Sequence, residues 1–353
     1  MDIPDLSQLL LGWPVEPAIE LTELPGGTNN RVWLVKTGNG SAYVLRLTAS
    51  SGPDDLARFG YETALLAALR EKALPFSLPV PLQNHSGETL VLLEQECSAP
   101  LIATLCPFLA GTLSERTATD VAKVAVALAQ LDTVLAAIPG NSLPEDGDTQ
   151  HFQYGSLYHC HPLVPDPLSA VERLLEPAQA RPLCQIIRRA QEDWEELCTW
   201  GLPQQILHRD CGPGNVLMDQ NRVTAILDFE FAGLDHRVFD LCVALSWWPV
   251  RMMGTGQEWE LIDAFGQAYT TCLPLSEEEF RVLPSALRMR DITSLIYRIG
   301  RYLAGLETKE TVQKRVQHSL WREAWLVANG ETLVKHGMTW NTLTRSSFPI
   351  LQH

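Results

Sequence analysis

The stretch His208-Arg209-Asp210-Cys211-Gly212-Pro213-Gly214-Asn215, with Ile226-Leu227-Asp228-Phe229-Glu230 downstream of it, decides how the rest of the chain reads. Strand-like runs bracket it, Ile206-Leu207 before and Val223 to Phe229 after. Asn215 stands five positions after Asp210, and Asp228 ends a strand thirteen residues beyond Asn215. A loop followed by a hairpin of strands brings three such side chains to one cleft. Asp and Asn are also ordinary turn residues, so each alone reads as punctuation. Together, at this spacing, they read as a working set of oxygen donors.

His-Arg-Asp, with Asn five positions after the Asp, resembles the catalytic loop of kinases, and Asp228 falls where the metal-binding Asp of that fold stands. The wording Gly-Pro-Gly-Asn-Val-Leu and then Ile-Leu-Asp-Phe-Glu is similar to the aminoglycoside phosphotransferase family, which sits beside the choline kinases and type II homoserine kinases. The resemblance runs from about Leu21 to Gly305. It implies an α+β, two-lobed protein-kinase-like fold, with a small antiparallel N-lobe sheet carrying a helix and a larger, mainly helical C-lobe. Residues 1–106 would be the nucleotide-binding N-lobe and 107–112 the hinge. Residues 113–353 would be the C-lobe with catalytic loop, metal site and acceptor pocket. ATP and Mg²⁺ are the implied cofactors. Phosphoryl transfer asks the protein for positioning and charge neutralisation more than for covalent chemistry. Asp210 would accept or orient the proton of the attacking hydroxyl, and Asn215 and Asp228 would supply hard oxygens to magnesium.

Working toward the N-terminus, Val32 to Val35 and Tyr43 to Leu47 read as strands around a Gly38-Asn39-Gly40 turn. Gly26-Gly27-Thr28-Asn29 is the candidate phosphate loop, since glycines admit backbone N–H groups to phosphate oxygens. Strand alternation puts Val44 and Arg46 on one face and Tyr43, Leu45 and Leu47 on the other. Val44 would roof the adenine and Arg46 would take the place of the kinase strand lysine. Glu62, on a helix over Asp54 to Arg70, is its ion-pair partner. Phe108 and Leu109 of the linker would meet the adenine; Pro107 has no N–H to offer.

Toward the C-terminus, Thr117 to Asp120 and Ser276 to Glu279 resemble helix capping boxes. Pro139 to Pro167 reads as a long surface insertion, and its His151, His159, Cys160 and His161 as loop residues rather than a zinc site. Ser169 to Trp200 reads as helical. Asp240 matches a family position that supports the catalytic loop.

The 353 residues include 46% hydrophobic and 20% charged side chains, with a net charge of -15. So acidic a chain speaks against nucleic-acid and anionic-membrane partners. Met1 to Pro17 has no basic residue and does not read as a secretory signal. The eight cysteines form no Cys-x-x-Cys, which points to reduced thiols in a cytoplasmic protein. Only Phe229 to His236 separate Asp228 from the next helix-like run, leaving no room for the peptide-docking segment of a protein kinase, so no protein substrate is expected. With no phosphorylated loop to grip, Arg209 should pair with a nearby acidic group or a backbone carbonyl. The expected reaction is transfer of the γ-phosphoryl of ATP to a hydroxyl of a small amino-alcohol or homoserine-like substrate. An aminoglycoside or choline-type kinase is the alternative, and an inactive nucleotide-binding module a further one. Glu230, Asp235, Asp263 and Asp291 are the carboxylates a polyamine would want. Trp247, Trp248 and Trp259 could cage a quaternary amine. Arg288, Arg290, Arg298 and Arg301 are the cations a substrate carboxylate would want.

Overall fold

The computed structural model describes residues 4–24, 30–50, 53–95, 99–144 and 153–341. The chain forms two compact units. One is drawn from 1–112, 138–148 and 217–230, the other from 113–137, 149–216 and 231–353.

In the first unit a short helix, α1 (Leu6–Leu10), precedes β1 (Ala18–Leu24), β2 (Arg31–Thr37) and β3 (Ala42–Ala49). Helix α2 (Pro53–Arg70) follows, then β4 (Val91–Leu93) and β5 (Leu101–Pro107). The strands make one antiparallel sheet in the order β1-β2-β3-β5-β4. The β2–β3 turn closes because Gly40 takes a left-handed φ of 83° and donates its N–H to the Thr37 carbonyl at 3.0 Å. Alternation along β3 is as expected. Leu45 and Leu47 are fully buried against Trp33, Val35, Leu101 and Leu105, while Val44 and Arg46 on the opposite face are half-buried. Each buried leucine contributes roughly 1.5–3 kcal/mol, which fixes the register and so fixes where Arg46 points.

The chain continues through β6 (Thr112–Leu113), α3 (Ala118–Ala136), α4 (Pro167–Leu174), α5 (Pro177–Thr199) and β7 (Gln204–Leu207). Then come β8 (Val216–Asp219), β9 (Arg222–Ile226), β10 (Gly233–His236) and α6 (Val238–Trp247). Helices α7 (Glu258–Cys272), α8 (Glu277–Arg281), α9 (Leu283–Leu303) and α10 (Lys309–Trp340) complete it. Strands β6, β8 and β9 form a small sheet, and β10 pairs with β7. The β8–β9 hairpin belongs to the first unit, where Ser77 bridges it by donating to the Thr224 carbonyl at 2.8 Å and accepting from Ile226 at 3.2 Å. A Cβ at Gly111 would lie 2.8 Å from both Leu217 Cβ and Thr224 Oγ1, so only glycine lets the linker lie this close to the hairpin.

Several expectations need correcting. The strand read from Val223 to Phe229 stops at Ile226, because Asp228 takes a left-handed φ of 64° that no pleat accommodates. The helix read over 169–200 is two helices. Leu175 and Glu176 are extended, as the residue before Pro177 must be. The Thr117 cap is one-sided: its hydroxyl accepts from Asp120 N at 3.1 Å, but the Asp120 carboxylate takes the Ser114 hydroxyl instead of closing the box. The Ser276–Glu279 box has both bonds. The 139–167 segment lies at the surface over 139–144 but not throughout: Leu157, Cys160 and Val164 are buried and His161 packs on Gly300. Among the described residues no helix is long and apolar enough to cross a membrane.

Candidate active site

In the second unit, β7 delivers the chain into His208 and the first turn of α6 receives it. Asp240 is fully buried there and accepts two backbone N–H groups, from His208 at 2.8 Å and from Arg209 at 2.6 Å. His208 Nδ1 in turn accepts the Asp210 N–H at 3.2 Å. The Asn215 amide nitrogen donates to both the side-chain Oδ2 of Asp210, at 2.8 Å, and its carbonyl, at 2.9 Å. The two ends of the loop are thereby pinned together. Asn215 Oδ1 takes no hydrogen bond from the described residues, a disposition that fits a hard cation. From below, Trp248 donates its indole N–H to the Cys211 carbonyl at 3.0 Å.

Arg209 holds a left-handed φ of 66°. Its guanidinium Nε lies 3.6 Å from Asp235 Oδ2, a charge contact rather than a hydrogen bond, with both side chains buried. It also lies over the Tyr154 ring, and the Tyr154 hydroxyl donates to the Arg209 carbonyl at 2.8 Å. Burial pushes the Asp235 carboxyl up to about 6 against the pull of Arg209. Behind Asp240 stands Asp132 of α3, whose Oδ2 accepts the Tyr269 hydroxyl at 2.6 Å. Burial, then the neighbouring Asp240, hold the Asp132 carboxyl well above the usual carboxylate range. A protonated Asp132 is the donor that a second buried acid beside Asp240 requires. Neither Tyr154 nor Asp132 was visible as a site residue in the sequence.

In the first unit, Arg46 of β3 meets Glu62 of α2 through two parallel bonds of 2.9 and 2.7 Å. Burial works against the charged guanidinium, yet the Glu62 carboxylate, with Cys106 and Glu230 behind it, raises its pKa above the ordinary arginine value. Glu230 accepts from the Asn30 amide at 3.1 Å, and Asn30 Oδ1 accepts the Thr48 hydroxyl. This short polar chain joins the start of β2 to the segment just past Asp228. The Phe108 N–H is spent on the Ala42 carbonyl at 3.0 Å, extending the β3–β5 edge. The amide of Leu109 makes no hydrogen bond to another described residue. Gly26, Gly27, Thr28 and Asn29 lie outside the described residues, as do His151 and Cys97.

Most residues named as substrate candidates already have partners. Asp263 is held by His336 and Trp340, Asp291 by Arg315, and Trp259 is stacked on His336 at 4.5 Å. Arg288 is bound to Asp193 and, at 2.7 Å, to Glu323, while Arg298 and Arg301 share Glu307. Arg290 differs. It is 4% exposed, no carboxylate of the described residues pairs with it, and its Nε has no hydrogen-bond partner. Its guanidinium sits 5.0 Å over the Trp247 ring. Such a stack gains roughly 2 kcal/mol when desolvated, whereas an unpaired buried ion costs several kcal/mol. The described cysteines are all free thiols, and no group of acidic, His or Cys side chains among the described residues is arranged to hold a metal by itself.

The phosphotransferase enzyme family matches residues 20–280. A homoserine kinase of Methylobacillus glycogenes is 27% identical over 84% of each chain, and one of Mesorhizobium japonicum 26% identical over 85% of this chain and 86% of its own. Among solved structures, a microcompartment-associated aminopropanol kinase superposes with a TM-score of 0.67 at 17% identity, covering 96% of this chain and all of its own. An amicoumacin kinase solved with AMP-PNP and Ca²⁺ superposes at 0.66 and 14% identity, over 89% of this chain and 92% of its own. The two-lobed kinase-like fold is common to these structures, and the match covers the sheet, the catalytic loop and Asp240 alike. The chain belongs to the phosphotransferase enzyme family.

Proposed function

We propose that this protein transfers the γ-phosphoryl group of Mg-ATP to a hydroxyl of a small amino-alcohol or homoserine-like molecule. The observation that carries the reading is the Asp210–Asn215 pair, closed by two bonds on a loop whose backbone is anchored by Asp240. Asp210 orients the acceptor hydroxyl and takes its proton as the oxygen attacks. Asn215, through its free amide oxygen, and Asp228 are the magnesium-binding residues, assigned from their spacing in the chain and from the local geometry at Asn215. When bound, magnesium neutralises charge on the phosphate oxygens. Arg46, held in place by Glu62, grips phosphate. Gly26, Gly27, Thr28 and Asn29 form the phosphate loop, Val44 covers the adenine, and the 107–112 linker, through Phe108 and Leu109, flanks it. The relatives named as homoserine kinases and the neighbour named as an aminopropanol kinase support a small amino-bearing alcohol as acceptor. The short passage from Asp228 to α6 supports the absence of a protein substrate, and free cysteines support a cytoplasmic setting.

The test is transfer from γ-labelled ATP to a panel of small amino alcohols and hydroxy amino acids, with wild type and Asp210→Asn. Asp210→Asn is expected to lower kcat by roughly 10²–10⁴-fold, the range for a lost acid–base group, with little change in ATP affinity. Near-normal turnover by the variant would remove Asp210 from this role, and label on none of the alcohols would remove the reaction itself.

A further inference from the structure

Arg315 and Arg322 share a single carboxylate, Asp291, and Arg290 lies near enough to both to act on their charge, inside a chain whose net charge is -15. Arg315 takes Asp291 directly at 2.6 Å. Arg322 is left with the Ser246 carbonyl at 3.2 Å and a distant Met253 sulfur. Burial brings both of these guanidinium groups down to about 10, with Asp291 opposing and Arg290 adding to the shift. Arg290 has no ion-pair partner among the described residues. Elsewhere in this unit buried arginines are matched: Arg209 faces Asp235, Arg237 chelates Glu279, Arg288 has two acids, and Arg301 has Glu307. The excess of positive charge therefore gathers at one place.

That place adjoins the catalytic loop on two sides. The Trp247 ring under Arg290 packs on Gly212, where a Cβ would come within 3.3 Å of the indole, and Gly212 is two residues from Asp210. The indole N–H of Trp247 is a second buried donor without an acceptor. On the other side is Tyr154, bonded to the Arg209 carbonyl; among the charges acting on it Arg290 comes first, ahead of Arg209 and Asp210. A planar guanidinium fork with a free edge matches a carboxylate in shape and charge.

We propose that Arg290, seated on Trp247, is the subsite for a carboxylate carried by the acceptor. The acceptor is then a hydroxy amino acid, not an amino alcohol lacking an acid group. The inference deepens the function proposed above and rests on it. Arg290 sets specificity without touching the transferred group.

The experiment compares acceptors that differ only by the carboxylate: L-homoserine against 3-aminopropan-1-ol, and L-serine against ethanolamine. Wild type is expected to favour the acid of the preferred pair by at least about 10²-fold in kcat/KM, because a site built to bond a polar group discriminates strongly against the analogue without it. Arg290→Gln should collapse that ratio by raising KM for the acid, with KM for ATP unmoved, and Arg290→Lys should restore part of it. Equal or better use of the amino alcohols by wild type overturns the inference and leaves the kinase reading standing. So does a ratio that survives in Arg290→Gln. A rise in KM for ATP instead reassigns Arg290 to a phosphate and also overturns it. The wild-type comparison needs no folded variant. Transfer to no alcohol overturns the function and the inference together.

Discussion

Replacing Asp240 by Asn tests whether one buried carboxylate holds the catalytic loop in shape. Asp240 is fully buried and spends one oxygen on each of two consecutive backbone N–H groups, those of His208 and Arg209. Asn keeps one acceptor and turns an NH₂ toward the other N–H, so one bond is lost and one buried donor is orphaned. A hydrogen bond to a charged group contributes about 1.5–3 kcal/mol, and an unsatisfied buried donor costs about 1–3 kcal/mol. The surviving bond also loses its charge assistance. The sum is roughly 3–5 kcal/mol, a large part of the 5–15 kcal/mol by which folded proteins are stable. The loop it anchors carries Asp210, and a displacement of about 1 Å in a reacting group is enough to cost about 10²-fold in rate. Urea unfolding followed by tryptophan fluorescence measures the first quantity, since Trp248 reports directly on the Cys211 carbonyl. Steady-state kinetics measures the second, with kcat expected to fall and KM for ATP to stay. An Asp240→Asn protein within about 0.5 kcal/mol of wild type and with unchanged kcat would refute the reasoning.

Asp132→Asn should be tolerated where Asp132→Ala is not. The Asn amide accepts from Tyr269 and donates toward Asp240 as a protonated Asp does, whereas Ala orphans the Tyr269 hydroxyl at a cost of about 2–4 kcal/mol. Because the folded-state pKa of Asp132 is raised, its contribution to stability is full below the unfolded value of about 4 and is lost as pH rises through the folded value. Asp132→Asn removes that slope, and unfolding midpoints at acid and alkaline pH read it; equal losses in the Asn and Ala variants would rule the shared proton out. Asp228→Ala is expected to abolish the magnesium dependence of ATP binding, measured by calorimetry in magnesium and in EDTA. Identical affinities for variant and wild type under both conditions would count against Asp228 as a metal ligand.

What could be read from the sequence was what is local. Asp210 and Asn215 lie within one loop, so their pairing follows from spacing. Arg46 and Glu62 lie on a strand and the next helix, and a period of two against a period of 3.6 was enough to aim one at the other. Tyr154 was hidden because its partner, Arg209, is 55 residues away and its own surroundings look like a polar insertion. Asp132 and Tyr269 are 137 residues apart. The four arginines of α9 look alike in sequence. What separates Arg290 from Arg288, Arg298 and Arg301 is which of them meets Asp193, Glu323 or Glu307, and only the packing of α9 against its neighbours decides that. Glu230 reads in the sequence as a carboxylate for a polyamine, but it accepts from Asn30, 200 residues earlier, a partner no local pattern shows.

Arg209 draws these observations into one account of how the loop is kept ready. Its left-handed backbone costs a non-glycine residue about 1–3 kcal/mol, a strain that persists only where its surroundings over-determine it. They do so here at both backbone groups and, by charge alone, at the guanidinium, whose buried Nε makes no hydrogen bond. Its N–H is held by Asp240, its carbonyl by the Tyr154 hydroxyl, and its guanidinium by Asp235 with the Tyr154 ring beneath. The two backbone bonds alone offset the strain, and behind Asp240 the Asp132 carboxyl is held well above the usual carboxylate range by burial and by Asp240 itself. In a kinase regulated by phosphorylation the loop arginine waits for an incoming phosphate. Here the waiting position is already filled by Asp235, a residue of the chain itself. The charge partner of this loop arginine is thus a carboxylate of the same unit, two buried side chains 3.6 Å apart, and needs no group brought in from outside.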